Sequence, residues 1–399
     1  MDSWKKFLSW YFAITFLVLF SVASVNAVVD PYGKLFWVYK QGFNANKYTD
    51  DFQARDFKAS KLYSCTYDNF IMGTSRAETG INPKSEYMPA GKGFNAALRG
   101  TNFYETAYLT DYLLERQQPK MVVIGLDFVA FNENLKGPGE FVGSMLDQDR
   151  GVFDLLPYLF SFETLDLSYQ VASWNRSDPD LRCSYDGFHT EQQLARYASS
   201  GLSTREKFLV IAEQYLTNPE SYADYVYYGD RVERFRAVLR KLMERGVEVK
   251  LFISPVHAFQ KETIELAGLR PLVERWKRDL VTTVADVNEA LPESEQLVLW
   301  DFSGYNSVNT ESVPLIGDTM MDGFRDPAHY RNHIGDIILQ KLNGTSVAPD
   351  DFGRVLTPDN LDEAAAAGRA GRADFRQAQP ELIQDLEQVL ERVLTPGQS

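Results

Sequence analysis

Met121-Val122-Val123-Ile124-Gly125-Leu126 carries no polar side chain, with Pro119-Lys120 before it and Asp127-Phe128 after it. A strand that stays apolar at consecutive positions needs cover on both faces, which a parallel sheet supplies. Four further stretches read as strands: about 67–73, a short one within 92–101 ending at Gly100, 247–255 and 297–302. Helical patterns separate them. One covers 104–115, with Tyr104, Ala107, Tyr108, Tyr112 and Leu113 at helical spacing; others cover 205–217, 229–245 and a long 259–290. Gly246 suits the end of the 229–245 helix. Strands alternating with helices predict an α/β fold whose central parallel sheet is covered on both faces. Sites in such sheets lie beyond the carboxyl ends of the strands. Here those ends carry Ser75, Gly100, Asp127, Ser254 with His257, and Asp301.

The N-terminus sets the compartment. Trp4-Lys5-Lys6 precedes an apolar run from Phe7 to Val25, and no charge falls between Lys6 and Asp30. About 20 apolar residues span a bilayer. Two lysines ahead of the run keep the N-terminus in the cytoplasm and export the rest. Val25-Asn26-Ala27 also reads as a small-residue cleavage site of a signal peptide. The length of the run favours an uncleaved anchor over residues 1–29. The chain of 399 residues is 44% hydrophobic, enough for a sizeable core, and its net charge of −14 argues against nucleic acid as a partner. Cys65 and Cys183 are either a disulfide of an exported chain or two core thiols. The four histidines and two cysteines lack metal-ligand spacing, so neither a metal nor a cofactor is implied.

Three stretches stand outside the strand–helix alternation. Residues 30–66 show no clean period and read as an irregular lead-in. Residues about 130–204, with Gly-Pro-Gly and many aspartates, read as an insertion over the site; their aromatics (Phe153, Tyr158, Phe160, Tyr169, Trp174) either pack the insertion, the favoured role, or stack on sugar rings. The main domain then runs 30–345 and a helical extension 346–399. In that extension Leu382, Leu386, Val389, Leu390 and Val393 form one stripe, read as facing the core rather than docking a partner.

The chemistry gathers at two places. In Asn69-Phe70-Ile71-Met72-Gly73-Thr74-Ser75-Arg76 an apolar strand breaks at a glycine, and a serine follows at the rim of the sheet. Backbone N–H groups at a helix start there would stabilise an oxyanion. Asp326-x-x-His329, read at the start of a C-terminal helix, supplies a base and its orienter from one turn.

Gly73-Thr74-Ser75-Arg76, Gly100, Gly125-x-Asp127 and Asp326-x-x-His329 resemble the four blocks of the SGNH (GDSL-like) hydrolases. The anchor, Ser254-Pro255-Val256-His257 and Asp326–Tyr330 resemble more narrowly the membrane-anchored SGNH-like proteins of exopolysaccharide O-acetylation, the alginate O-acetylation proteins among them. The resemblance covers about residues 60–345. It implies a three-layer α/β/α (flavodoxin-like) fold with a central parallel sheet, preceded by a transmembrane helix. It also implies a serine acyltransferase or esterase in the bacterial inner membrane, single-pass, with its main domain in the periplasm. A polysaccharide substrate and a membrane-bound acyltransferase partner follow from the same resemblance. Ser75 matches the nucleophile, His329 the base and Asp326 its orienter, with the N–H groups of Ser75 and Gly100 in the oxyanion hole. The family places an asparagine where this chain has Asp127. An ionised aspartate only accepts hydrogen bonds, so Asp127 is paired with Arg76, is protonated, or leaves the donor role to a residue such as Asn95. His257 is either a wall of the site or a structural histidine. A second function class is a catalytically inactive SGNH-fold subunit that binds or scaffolds a polysaccharide modification or export complex.

Overall fold

All five apolar stretches form strands; the one over Met121–Leu126 coincides with its apolar run and the other four are shorter than their sequence patterns. In the computed structural model β1 is Asn69–Met72, β2 Gly93–Asn95, β3 Met121–Leu126, β4 Glu248–Ile253 and β5 Leu299–Asp301. The described residues are 2–47, 54–137, 141, 143–147, 150–177, 183, 185–189, 201–227, 229–317 and 319–395. The strands pair in the order β2-β1-β3-β4-β5, all parallel. Every residue of β1 and β3 is buried, as consecutive apolar positions require. The chain is therefore mixed α/β with a mostly parallel central sheet and one N-terminal apolar helix. β6 (Phe324–Asp326) and β7 (His329–Tyr330) form a separate antiparallel pair. β8 (Arg354–Leu356) closes the main sheet antiparallel to β5. Three residues with an exposed arginine show no strand period, so β8 was illegible in the sequence.

The chain falls into two compact units. The first holds Met1–Thr66, Asp111–Gln117 and Pro138–Tyr185; the second holds Tyr67–Thr110, Gln118–Gly137 and Asp186–Ser399.

In the first unit the helix Asp2–Val29 is exposed along most of its length, and burial begins at Val22. Its last turns pack against the helices Leu156–Leu159 and Phe162–Ser177. Asn26 is fully buried there. Its amide donates to the carbonyls of Leu159 and Ser161, both at 2.9 Å, and its oxygen accepts from the Ser168 hydroxyl at 3.0 Å. Asp30 accepts the Lys34 and Phe36 N–H groups and the Tyr158 hydroxyl. A helix, Ala54–Ser64, occupies the lead-in expected to be irregular. It buries Arg55, Asp56, Lys58 and Ser60 beside its apolar residues, which erases the stripe that would have revealed it. Cys65 and Cys183 form a disulfide. Of the aromatics expected to pack residues 130–204, Tyr158 is buried, whereas Phe153, Phe160, Tyr169 and Trp174 are exposed. The expected insertion also takes in residues 190–200, which lie outside the described residues.

The second unit carries the sheet. One core cluster joins Ile71, Val123 and Phe252 of the sheet to Ala77, Phe324, Tyr330, Ile334 and Ile338. The expected long helix over 259–290 is two helices, Ala258–Leu266 and Arg270–Asn288. Gly268, at φ +73°, ends the first, and Pro271 opens the second. The C-terminal stripe faces the core: Leu382 and Leu386 join Phe208, Phe259 and Phe375 in a second cluster.

Candidate active site

The position of Ser75, the candidate nucleophile, is built by a glycine and a threonine. Gly73 follows β1 with φ +142°, and a Cβ there would lie 2.8 Å from the Gly125 carbonyl oxygen and 2.9 Å from the Ala77 Cβ. Only glycine fits. Thr74 then caps the helix Ser75–Gly80: its hydroxyl accepts from the Arg76 N–H and donates to Asp127 Oδ2 at 2.6 Å. Ser75 is thus the first residue of a helix, where backbone N–H groups have no partner within the helix. Its side chain is half-buried and opens on a cleft of about 200 Å³ that Gly100, Thr101, Val129 and Tyr215 also line.

The candidate base and its orienter lie on β6 and β7 rather than at the start of a helix, which begins only at Asn332. Asp326 Oδ1 accepts the N–H groups of Ala328 (2.8 Å) and His329 (3.0 Å), which folds the chain into a tight turn. The same carboxylate receives His329 Nδ1 at 2.9 Å and 2.8 Å. A carboxylate at Nδ1 holds the proton there and leaves Nε2 as the acceptor. Nε2 lies 2.9 Å from Ser75 Oγ, across 254 residues of sequence. Burial pushes the Asp326 carboxyl up; the His329 ring, the Ala328 N–H and Arg325 together outweigh it and hold the group below its ordinary value.

Close packing fixes the two halves against each other. A Cβ on Gly335, in the helix Asn332–Leu342, would lie 2.0 Å from the Gly80 carbonyl oxygen. Arg325 donates to the carbonyls of Thr79 (2.9 Å) and Tyr330 (2.6 Å), tying the end of the nucleophile helix to β7. Arg76 Nε donates to the Ala328 carbonyl at 3.0 Å, one residue before the base.

The other end of Arg76 resolves the question at Asp127. Its guanidinium meets Asp127 Oδ1 at 2.7 Å, with both side chains buried. Burial opposes the Arg76 charge, but Asp127 more than restores it, so the guanidinium is held more firmly protonated than usual. Tyr215 and Tyr222 lie against the same charge; burial raises both phenols. With Arg76 on one oxygen and Thr74 on the other, Asp127 is an acceptor in an ion pair. Sequence reasoning missed Thr74, Arg325 and the two tyrosines. Thr74 stood where an N-cap precedes a helix, whereas the tyrosines carry no local signal.

Two expectations are corrected. Asn95 is no oxyanion donor: its amide is spent on the carbonyls of Ala77, Glu78 and Ile81, and it has no exposed surface. His257 is no wall of the site. Its Nδ1 caps the helix Ala258–Leu266 by accepting the Phe259 N–H at 3.1 Å, and its Nε2–H donates to the Glu311 carbonyl at 2.7 Å. Phe208, Phe324 and Phe375 surround the ring. Among the described residues, no three His, Cys, Asp or Glu side chains are grouped as metal ligands. No family model matches the chain, and no curated protein matches it.

Proposed function

We propose that the protein is an extracytoplasmic, membrane-anchored serine acyltransferase or esterase of SGNH type that moves O-acetyl groups on an exopolysaccharide. One observation carries this reading: Ser75 Oγ lies 2.9 Å from His329 Nε2 and Asp326 lies 2.8 Å from His329 Nδ1; a carboxylate at Nδ1 favours the tautomer in which Nε2 is a base. Ser75 Oγ attacks the ester carbonyl while Nε2 takes its proton, and Asp326 stabilises the imidazolium. Charge on the carbonyl oxygen falls to the N–H groups of Ser75 and Gly100. Nε2 gives that proton to the donor's departing alcohol oxygen, which leaves the acyl group on Ser75; it then takes the proton of a sugar hydroxyl, or of water, as that oxygen attacks the acyl carbonyl, and returns it to Ser75 Oγ as the acyl bond breaks. The parallel order β2-β1-β3-β4-β5 supports the three-layer flavodoxin-like arrangement that SGNH membership requires. The disulfide supports an oxidising compartment. The acceptor polysaccharide and a membrane-bound acyltransferase as donor rest on the resemblance.

A non-catalytic binding or scaffold subunit on the same fold is the second reading. It is favoured by Asp127, which offers no donor where the family pattern has an asparagine. Acetyl release from an aryl acetate by the full chain in detergent decides between them. Ser75→Ala and His329→Ala are each expected to lose about 10³-fold or more in kcat/KM. Equal rates in all three proteins would leave the scaffold reading.

A further inference from the structure

In the first unit exposed large apolar residues cluster along the chain at Val152–Phe162, next to the helices that pack on the N-terminal helix. That helix is open from Trp4 to Ser21, a length of about 27 Å, close to the roughly 30 Å core of a bilayer. Burial begins at Val22, beneath the helices Leu156–Leu159 and Phe162–Ser177. Asn26 clamps the link between those two helices through the Leu159 and Ser161 carbonyls. Asn26 stands about 6 Å along the axis from Val22, which is within the headgroup layer if the open stretch fills the core. The clamped segment carries Val152 (76% exposed), Phe153 (83%) and Phe162 (61%), with Leu156 and Phe160 also exposed. A soluble surface seldom leaves so many large apolar side chains open in about ten residues. Their exposure is what an interface between headgroups and acyl chains would cover.

We propose that Val152–Phe162 is an interfacial membrane segment, a second contact with the bilayer that seats the first unit on the lipid surface beside the spanning helix. The inference rests on the reading that the N-terminal helix spans a membrane. Its occupant is lipid, because Asn26 pins the Leu159–Ser161 link of the segment to the same helix whose preceding residues, Trp4 to Ser21, are largely open and apolar. Asp154, Glu163 and Asp166 are exposed on the same stretch. They confine the segment to headgroup depth and make a zwitterionic surface a better match than an anionic one. A shallow second contact limits tilt of the unit about a single helix.

The test uses the full chain reconstituted in phosphatidylcholine vesicles, with an environment-sensitive dye on one introduced cysteine; Cys65 and Cys183 are already bonded. Dyes at Phe153→Cys and Phe162→Cys are compared with Phe16→Cys, on the open stretch, and Ser177→Cys, about 13 Å along its helix beyond Ser168. Replacing the lipid by one with brominated acyl chains is expected to quench positions 16, 153 and 162 roughly twofold and to leave 177 unchanged. Quenching at 16 with none at 153 and 162 overturns the inference and leaves the spanning helix intact. That holds equally if 153 and 162 are open to aqueous iodide or shielded by another protein surface. No quenching at 16 overturns the spanning helix, and the inference with it.

Discussion

Arg76 follows Ser75 in the chain and is bonded to Ala328, the residue before His329, in space. Its Nε fixes the Ala328 carbonyl and its terminal nitrogen pairs with Asp127. Neither contact touches the reacting atoms, so Arg76 and Asp127 are positioning residues. Asp127→Ala would leave a buried guanidinium unpaired, and a loss of about 3–5 kcal/mol is expected in urea unfolding. Arg76→Gln removes the hold on Ala328, and a shift of His329 from Ser75 is expected to cost about 10²-fold in kcat on an aryl acetate. The double variant Arg76→Gln/Asp127→Asn separates the two roles. With both charges gone, stability is expected to recover most of the way, because the buried charge is the main cost. The rate stays low, because Ala328 is still not held. Recovery of the rate along with stability would show that the pair only supports the fold.

At the scale of elements, His257 links three of them. It caps the helix Ala258–Leu266, bonds to Glu311 and sits within a ring of phenylalanines. Burial pushes the imidazole down to about 4, partly opposed by the Glu311 carbonyl. The folded state therefore keeps His257 neutral where the unfolded chain, near 6.5, takes up a proton. The stability this gives is complete above pH about 6.5, falls as pH drops, and is gone below about 4. Unfolding free energy is expected to fall by about 2 kcal/mol between pH 7 and pH 5, with most of that slope absent in His257→Gln. An unchanged slope in the variant would move the effect to other groups. The same histidine marks the limit of what the chain spells out. The runs of β1 and β3 were legible because burial at every position leaves little polar alternation to confuse, and β4 because Leu251–Ile253 follow a Val-Glu-Val-Lys alternation that is itself a strand signal. Ser75 was legible because it stands just beyond such a run, and Asp326-x-x-His329 because the spacing lets one turn carry both groups. His257 looked like a site residue because it also follows a strand end; only the cap to Phe259 and the three surrounding rings, brought from distant parts of the chain, make it structural. Asn95 misled for the same reason: the carbonyls it satisfies belong to a helix that starts 20 residues earlier. The helix Ala54–Ser64 was hidden by buried charges, and β8 by its shortness.

At the scale of the whole molecule, the N-terminal helix has two chemistries along one axis. From Trp4 to Phe20 it offers exposed apolar side chains, and from Val22 onward it is part of a packed unit. The possible cut after Ala27 falls inside the packed part. Cleavage there would remove Asn26, taking the partner from the Leu159 and Ser161 carbonyls and the Ser168 hydroxyl, and would leave the buried Asp30 three residues from a new chain end. A signal peptide has no reason to supply the hydrogen bonds of the mature fold, whereas an anchor that continues into its own domain does. The helix is therefore expected to stay attached. Mass measurement on protein extracted from membranes should give the chain with residues 1–27 present, and a species starting at Val28 would contradict it. Asn26→Leu tests the same point without the membrane. It keeps the apolar run but leaves two carbonyls without their partner, so thermal unfolding of the full chain in detergent is expected to show a loss of at least about 2 kcal/mol. If the packed turns were only a leader awaiting removal, that substitution would leave the unfolding temperature where it was.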